Sequence, residues 1–367
     1  MGLCGHLDAL RSAVVKKDGG LQILLANFLG TEQQKDIEAK TLLVEDFFRI
    51  KINVKAFDEA ERVKQGKPPF DFKDSAAVFR AMADEFDIPY WAFCALKGVK
   101  LRDCTNTLVY QLKACNLHCP WCYVDDGNKN GKVDGSSRFF SISEIVDAYE
   151  RERSSAPHCL RASGGEPTLA VEQWPALLGE LERRSLSSTV FVQGDTNLTT
   201  GSWIARLIER GELDNAVLYK VAEHPNFGLL CSFKGTDRES FCAATGIPRP
   251  ELHDEQFNSL ALFVEAGIEC YPFIYDPNPD TLESFMERGA RAFGEGFWLK
   301  SWIFRLKLYS PERARLKASG IDPDSYQARL DENFARSEDI MRELIWKKYG
   351  LDYKAVPRTG IALKSKR

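Results

Sequence analysis

Three cysteines fall within the eight residues CNLHCPWC, from Cys115 to Cys122, with gaps of three and two residues between them. Thiolates at such spacing are ligands for zinc or for an iron–sulfur cluster. A structural zinc takes four ligands, usually as two separated pairs. His118 would complete a Cys3His set, but it adjoins Cys119, and the chain has no second CxxC to supply the other half of a conventional site. A [4Fe–4S] cluster takes one cysteine per iron. Three cysteines leave one iron open, and an open position is what a catalytic metal keeps for its substrate. The missing fourth cysteine is therefore the informative feature.

Three later stretches carry chemistry of their own. Ser163-Gly164-Gly165-Glu166-Pro167 sets two glycines, which let a backbone approach a ligand, beside a carboxylate that can accept from an ammonium. Alone, it is also an ordinary strand-to-helix turn. Gln193-Gly194-Asp195-Thr196-Asn197 reads alone as an Asx-type turn. Ser232-Phe233-Lys234-Gly235-Thr236-Asp237 puts a lysine at a strand end, where it can pair with a carboxylate.

CxxxCxxC with an aromatic before the last cysteine, followed in order by GGEP, resembles the signature of the radical S-adenosylmethionine (SAM) superfamily. The resemblance implies a [4Fe–4S] cluster on Cys115, Cys119 and Cys122. Trp121 would lie beside the SAM adenine, and Gly164, Gly165, Glu166 and Pro167 at its amino group. It further implies that the open iron binds SAM, and that an electron from the cluster breaks the S–C5′ bond. The resulting 5′-deoxyadenosyl radical would abstract a substrate hydrogen. The third and fourth stretches are similar to segments of the glycyl-radical-enzyme activases, such as pyruvate formate-lyase activating enzyme. That similarity implies cofactor contacts from Asp195, Asn197, Ser232 and Lys234. Ser232 stands where the activases have Asp, and Leu198 where they have Gly. The likeness covers about residues 107–308. It also implies an electron donor such as a flavodoxin or ferredoxin. A non-catalytic iron–sulfur or zinc protein is the alternative from another class.

The elements that must position these groups alternate from about Thr107 onward. Strands are expected at 108–112, 159–163, 189–193, 227–233, 270–275 and 302–308. Helices are expected from a Ser141/Glu144 capping box to about 153, and at 172–184, 203–209, 238–244, 255–265 and 281–293. The expected fold is α/β: a partial (β/α)6 barrel over 104–310, after an N-terminal mixed α/β region at 1–103 and before C-terminal helices at 311–367. In the N-terminal region, 48–54 alternates like a half-buried strand, 64–69 reads as a turn, and 74–86 has helical spacing. Sites in parallel α/β folds lie at the C-terminal ends of strands, where the cysteine loop falls.

Composition narrows the classes. A net charge of −4 over 367 residues gives no case for broad nucleic-acid or membrane-surface binding. No apolar run is long enough to span a membrane, and no secretion signal is recognised, so a cytoplasmic protein is expected. Met1-Gly2 invites a lipidation reading, which His6 breaks. Cys4, Cys94, Cys104, Cys159, Cys231, Cys242 and Cys270 lie singly and read as free thiols. Residues 126–137 mimic a calcium loop, but Ser137 replaces the bidentate Glu, so a polar surface loop is expected there. No cysteine follows Cys270, so one cluster is expected. The expected substrate is a small molecule; the alternative is a protein-modifying activase. Arg305, Tyr309, His158 and His224 lie near strand ends, where a structural pair or hydrogen bond is the simpler reading of each.

Overall fold

A computed structural model describes residues 3–35, 42–52, 106–152, 157–356, 358 and 360–365. The turn at 64–69, the helical spacing at 74–86, and Cys94 and Cys104 lie outside them. The N-terminal elements described are α1 (Leu3–Val14), β1 (Val15–Lys16), β2 (Gln22–Ala26), β3 (Leu42–Glu45) and β4 (Phe48–Ile52). There follow β5 (Asn106–Leu112), β6 (Ser137–Ser141), α2 (Ile142–Arg151), β7 (Pro157–Gly164), α3 (Gln173–Arg183), β8 (Phe191–Thr196), α4 (Gly201–Glu209), α5 (Val217–Ala222) and β9 (Phe227–Lys234). Next come α6 (Arg238–Thr245), α7 (Leu252–Glu265), β10 (Cys270–Tyr275), α8 (Leu282–Phe293), α9 (Gly296–Lys300) and β11 (Trp302–Phe304). The chain then continues through α10 (Ser310–Ala318) and α11 (Pro323–Tyr349).

β5, β7, β8, β9, β10 and β11 pair in parallel and in that order. Sequential order makes every crossover turn the same way, which stacks the helices on one face of the sheet. The other face covers itself by curling. Trp121, beyond the first of these strands, stacks on Tyr275 at the end of the fifth, with ring centroids 5.5 Å apart. Four strand spacings in a flat sheet would separate those ends by roughly 19 Å. On the helix side, Tyr110 donates its hydroxyl to Gln173 of α3 at 2.8 Å. The alternate residues Val109 and Gln111 therefore face the lumen.

The N-terminal strands join the same sheet. β4 pairs antiparallel with β5 from Arg49↔Val109 to Ile52↔Asn106, and β2 meets its far end at Leu25↔Leu112. They cover an edge that would otherwise expose unpaired backbone groups. The capping box opening α2 forms as expected: Glu144 N–H donates to Ser141 Oγ (3.2 Å) and Ser141 N–H to Glu144 (2.7 Å). Several strands shift from their expected bounds, two of them for a visible local reason. β8 starts at Phe191 because Thr189 and Val190 both donate to the Leu186 carbonyl in a turn. β11 stops at Phe304 because Gln327 of α11 takes the Leu306 carbonyl and the Leu308 N–H. α1, β2, β6, α5 and α9 had no recognised signal in the sequence. Among the described residues no helix is long and apolar enough to cross a membrane.

α1 is fastened to the turn after β7. Arg11 donates to the Leu169 carbonyl at 2.8 Å and pairs with both carboxylate oxygens of Glu172. Its side chain is 10% exposed, and without the guanidinium the 15%-exposed carboxylate keeps, among the described residues, only the exposed Lys17, 3.6 Å away. Arg11→Met is expected to lower stability by roughly 3 kcal/mol, the usual cost of breaking a buried pair from one side. Denaturant unfolding under reducing conditions measures it; a loss below ~1 kcal/mol would show that α1 is not a structural part of the core.

Candidate active site

The cysteine loop leaves β5 and folds back on itself. Cys115 N–H donates to the Lys129 carbonyl (3.0 Å), and Gly131 N–H to the Lys113 carbonyl (2.8 Å). Further along, His118 N–H donates to the Thr245 carbonyl at the end of α6 (3.0 Å). From α10, Arg315 donates to the carbonyls of Pro120 (3.1 Å), Cys122 (2.7 Å) and Val124 (2.7 Å). Leu117, Phe241, Leu252, Leu306, Leu316 and Leu330 build an apolar cluster around Cys119 and Trp121, with Cys115 and Cys122 packed against it.

This pocket holds three thiols in surroundings that suppress thiolates. Burial pushes Cys115 up to about 12 and Cys119 up to about 11, and charge on Cys122 raises both. Thiolates gathered in such a place require bound cations, which is what iron supplies to a cluster. Two donors already point at one sulfur: Leu117 N–H reaches Cys115 Sγ at 3.4 Å, and Asn197 Nδ2 at 3.8 Å. The residues present therefore fit a cluster. They do not fit a Cys3His zinc, because His118 is exposed while the neighbouring Cys119 is buried. Among the described residues no three His, Cys, Asp or Glu side chains are arranged to hold a single metal ion.

The glycine turn is stitched to the start of this loop. Gly165 N–H donates to the Leu112 carbonyl (2.9 Å) and Glu166 N–H to the Ala114 carbonyl (2.6 Å). A Cβ on Gly165 would lie 1.7 Å from the Ala114 oxygen, and Gly164 adopts φ +94°. Pro167 opens a short 3-10 turn capped by Glu166. The Glu166 carboxylate accepts from Thr168 N–H (3.2 Å), the Thr168 hydroxyl and Asn197 N–H (2.7 Å). Burial raises its pKa, and those hydrogen bonds work against the rise.

Asn197 thus ties Glu166 to Cys115, and its amide also donates to Asn116 at 3.0 Å. Leu198 keeps a glycine-like backbone without a glycine: its φ is +62°, and Thr196 Oγ1 accepts its N–H at 3.0 Å. Asp195 lies deeper in the lumen, where Arg161 (2.8 Å) and Gln193 (3.1 Å) occupy its carboxylate. On β9, Ser232 is buried, and Gln256 ties its carbonyl (3.1 Å) to the Lys234 N–H (3.2 Å). The Lys234 ammonium sits 4.6 Å from the Trp121 ring centroid and 4.0 Å from that of Tyr275. Burial lowers its pKa, while Cys119, Cys122, Cys115 and Glu166 favour its charge.

Sequence reading missed Arg315, Lys129, Asn116 and Tyr275 as parts of this site; Arg315 and Tyr275 stand in no motif, Asn116 fills an unspecified position of the cysteine motif, and Lys129 lies in the calcium-like loop. The loop read as polar and superficial is instead pinned. Asn128 and Lys129 are buried, Asp126 pairs with Lys129 (2.9 Å) and Arg315 (3.0 Å), and Asp134 pairs with Lys113 (3.0 Å). Lysine and arginine thus meet the carboxylates that suggested a calcium loop. Arg305 pairs with Asp331 at 3.1 Å, and Tyr309 meets Tyr123 edge-on at 5.5 Å.

The close approach at Gly165 predicts a sensitive variant. Gly165→Ala is expected to cost roughly 1–3 kcal/mol through overpacking and to lower the iron retained after anaerobic reconstitution. Thermal unfolding and iron analysis check it; unchanged values would mean that the Ala114 segment moves aside freely.

No family model matches the chain. Over 158 residues it is 26% identical to 7-carboxy-7-deazaguanine synthase of Methanospirillum hungatei JF-1, a match spanning 42% of this chain and 59% of that protein. SuiB of Streptococcus suis bound to S-adenosylmethionine is similar at 14% identity and a TM-score of 0.35, over 64% of this chain and 48% of SuiB. Methylornithine synthase is similar at 14% identity and a TM-score of 0.31, over 59% of each chain. The chain spans about half to three-fifths of the length of these relatives. The cysteine loop and its GGEP turn are the features by which the chain resembles the radical SAM superfamily.

Proposed function

We propose that the protein reductively cleaves SAM at a [4Fe–4S] cluster held by Cys115, Cys119 and Cys122, and abstracts hydrogen from a small molecule bound in the barrel lumen. The observation that carries this reading is the convergence on one pocket of three thiols, Cys119 buried and Cys115 and Cys122 half-buried, with the Lys234 ammonium and the Glu166 carboxylate. Bound there, the cluster and SAM would supply the reductive cleavage and hydrogen-abstracting power of the superfamily.

The chain's own side chains do the positioning. Glu166 and Asn197 fix acceptors and donors beside Cys115. Lys234 supplies a counter-charge for thiolates and for a ligand carboxylate. The stacked Trp121 and Tyr275 offer a flat apolar surface, and the Trp121 indole N–H is buried without a hydrogen-bond partner among the described residues.

Below them, the register divides the lumen into two walls. Gln111, Ser163 and Asp195 line up across β5, β7 and β8, with Arg161 and Gln193 one row lower. Phe273, Tyr275 and Phe304 lie on β10 and β11. The side-chain oxygens of Gln111 and Gln193 are buried without a partner among the described residues, so both are open to donors from a substrate. The aromatic wall excludes water, as a reactive carbon radical demands. Over the mouth, Arg329 of α11 binds both oxygens of Asp276 (3.0 and 2.9 Å), and Tyr326 packs on the cysteine cluster. A covered mouth suits a small molecule better than a polypeptide. The electron would come from a flavodoxin or ferredoxin.

Cys119→Ala is expected to lose cluster iron and SAM cleavage together; cleavage at the native rate in that variant would refute the ligand assignment. The substrate class is read by isotope. Cells grown in heavy water yield a small-molecule fraction and a protein fraction, each incubated anaerobically with reduced enzyme and unlabelled SAM. Deuterium in 5′-deoxyadenosine is expected from the small-molecule fraction; label only from the protein fraction would replace this reading with the protein-modifying one.

A further inference from the structure

The segment that mimics a calcium loop brings a buried cation to the cysteines. Lys129 lies on the return limb of the cysteine loop, where its carbonyl accepts the Cys115 N–H. Its side chain is only 3% exposed, and its ammonium makes no aligned hydrogen bond to any described atom. Its ion-pair partner is Asp126, at 2.9 Å, and that carboxylate is 65% exposed. Solvent and the Arg315 guanidinium, 3.0 Å away, both compete for it.

Packing alone does not explain the lysine. A buried ammonium is costly unless it meets an anion, and an apolar side chain of the same length would fill the space without that cost. On its inner side lies the Cys122 segment: Asp126, 2.9 Å from the ammonium, also pairs with Arg315 at 3.0 Å, and Arg315 holds the Cys122 carbonyl at 2.7 Å. Arg315 links the same groups through the backbone, since it holds the Cys122 carbonyl and Asp126 at once. The positive charge is therefore fixed in place by α10, far along the chain from the loop it serves.

We propose that Lys129, held by Asp126 and Arg315, is a positioning residue for the electron: its buried ammonium raises the reduction potential of the cluster on Cys115, Cys119 and Cys122. Reduction adds one negative charge to that cluster, and a nearby fixed cation stabilises the added charge more than it stabilises the oxidised state. The strength of reductant the enzyme needs would thus be set outside the motif that binds the cluster. This inference rests on the cluster assignment above.

The test is a redox titration of reconstituted full-length protein without SAM, with dithionite as reductant and the reduced-cluster electron paramagnetic resonance signal as readout. Iron and sulfide content is measured on every sample. Lys129→Met is expected to lower the reduced-to-oxidised ratio at a fixed potential by at least tenfold, a shift of 59 mV for a one-electron couple. Lys129→Arg should restore the wild-type value. Asp126→Asn, which removes an exposed negative charge, should move the potential the opposite way, and it keeps the proposal testable if Lys129→Met fails to fold. Equal potentials in Lys129→Met and wild type at equal iron content would overturn the inference and leave the cluster assignment standing. So would a fall in potential in Asp126→Asn. A wild-type protein that holds no iron or sulfide would overturn both.

Discussion

The carbonyl of Ala114 receives the Glu166 N–H at 2.6 Å, and there is no room for a side chain at Gly165 between the two segments. This contact is where the first strand of the barrel hands over to the cysteine loop, and where the second strand turns into its helix. Because the backbones touch there, the carboxylate of Glu166 and the sulfur of Cys115 share the same partner, Asn197. Moving any of the three displaces the others. The barrel therefore delivers its first three strand ends as one joined unit rather than as separate loops around a cavity.

Charge placement follows from that joint. The apolar cluster around Cys119 and Trp121 makes thiolates costly, so the pocket is poised for cationic metal. Two buried lysines approach the loop from different elements, Lys234 from the end of β9 and Lys129 from the loop's own return limb. Arg315 neutralises no sulfur directly. It instead gathers three backbone carbonyls that would otherwise point their negative ends together. The C-terminal helices thus help to build the site, although no motif marks them.

How much of this was legible follows from how far each contact reaches along the chain. The six parallel strands could be read because each is a short apolar run between helical patterns. The turn at Gly164 and Gly165 could be read because only glycine suits it. Leu198 shows the converse: it adopts φ +62° with no glycine to announce it, its N–H held by Thr196 and its side chain fully buried. The loop at 126–137 misled because alternating carboxylates and amides look the same whether they meet a metal ion or an ammonium. The partners that decide between these, Lys113 and Arg315, lie outside it.

The sequence by itself marked the chemistry proposed for the centre. Three cysteines within eight residues, with no fourth, are a local spacing that suits an incompletely ligated cluster. It also determined the order of the six parallel strands, because periodicity is a local property. Only the tertiary structure decided what surrounds that centre. Trp121 stacks on Tyr275 because the sheet curls, Arg315 reaches Cys122 across 193 residues of chain, and Asp195 faces Arg161 because two strands run in register. Such contacts depend on where packing and hydrogen bonding bring distant segments together. A linear pattern carries no record of that until the chain has folded.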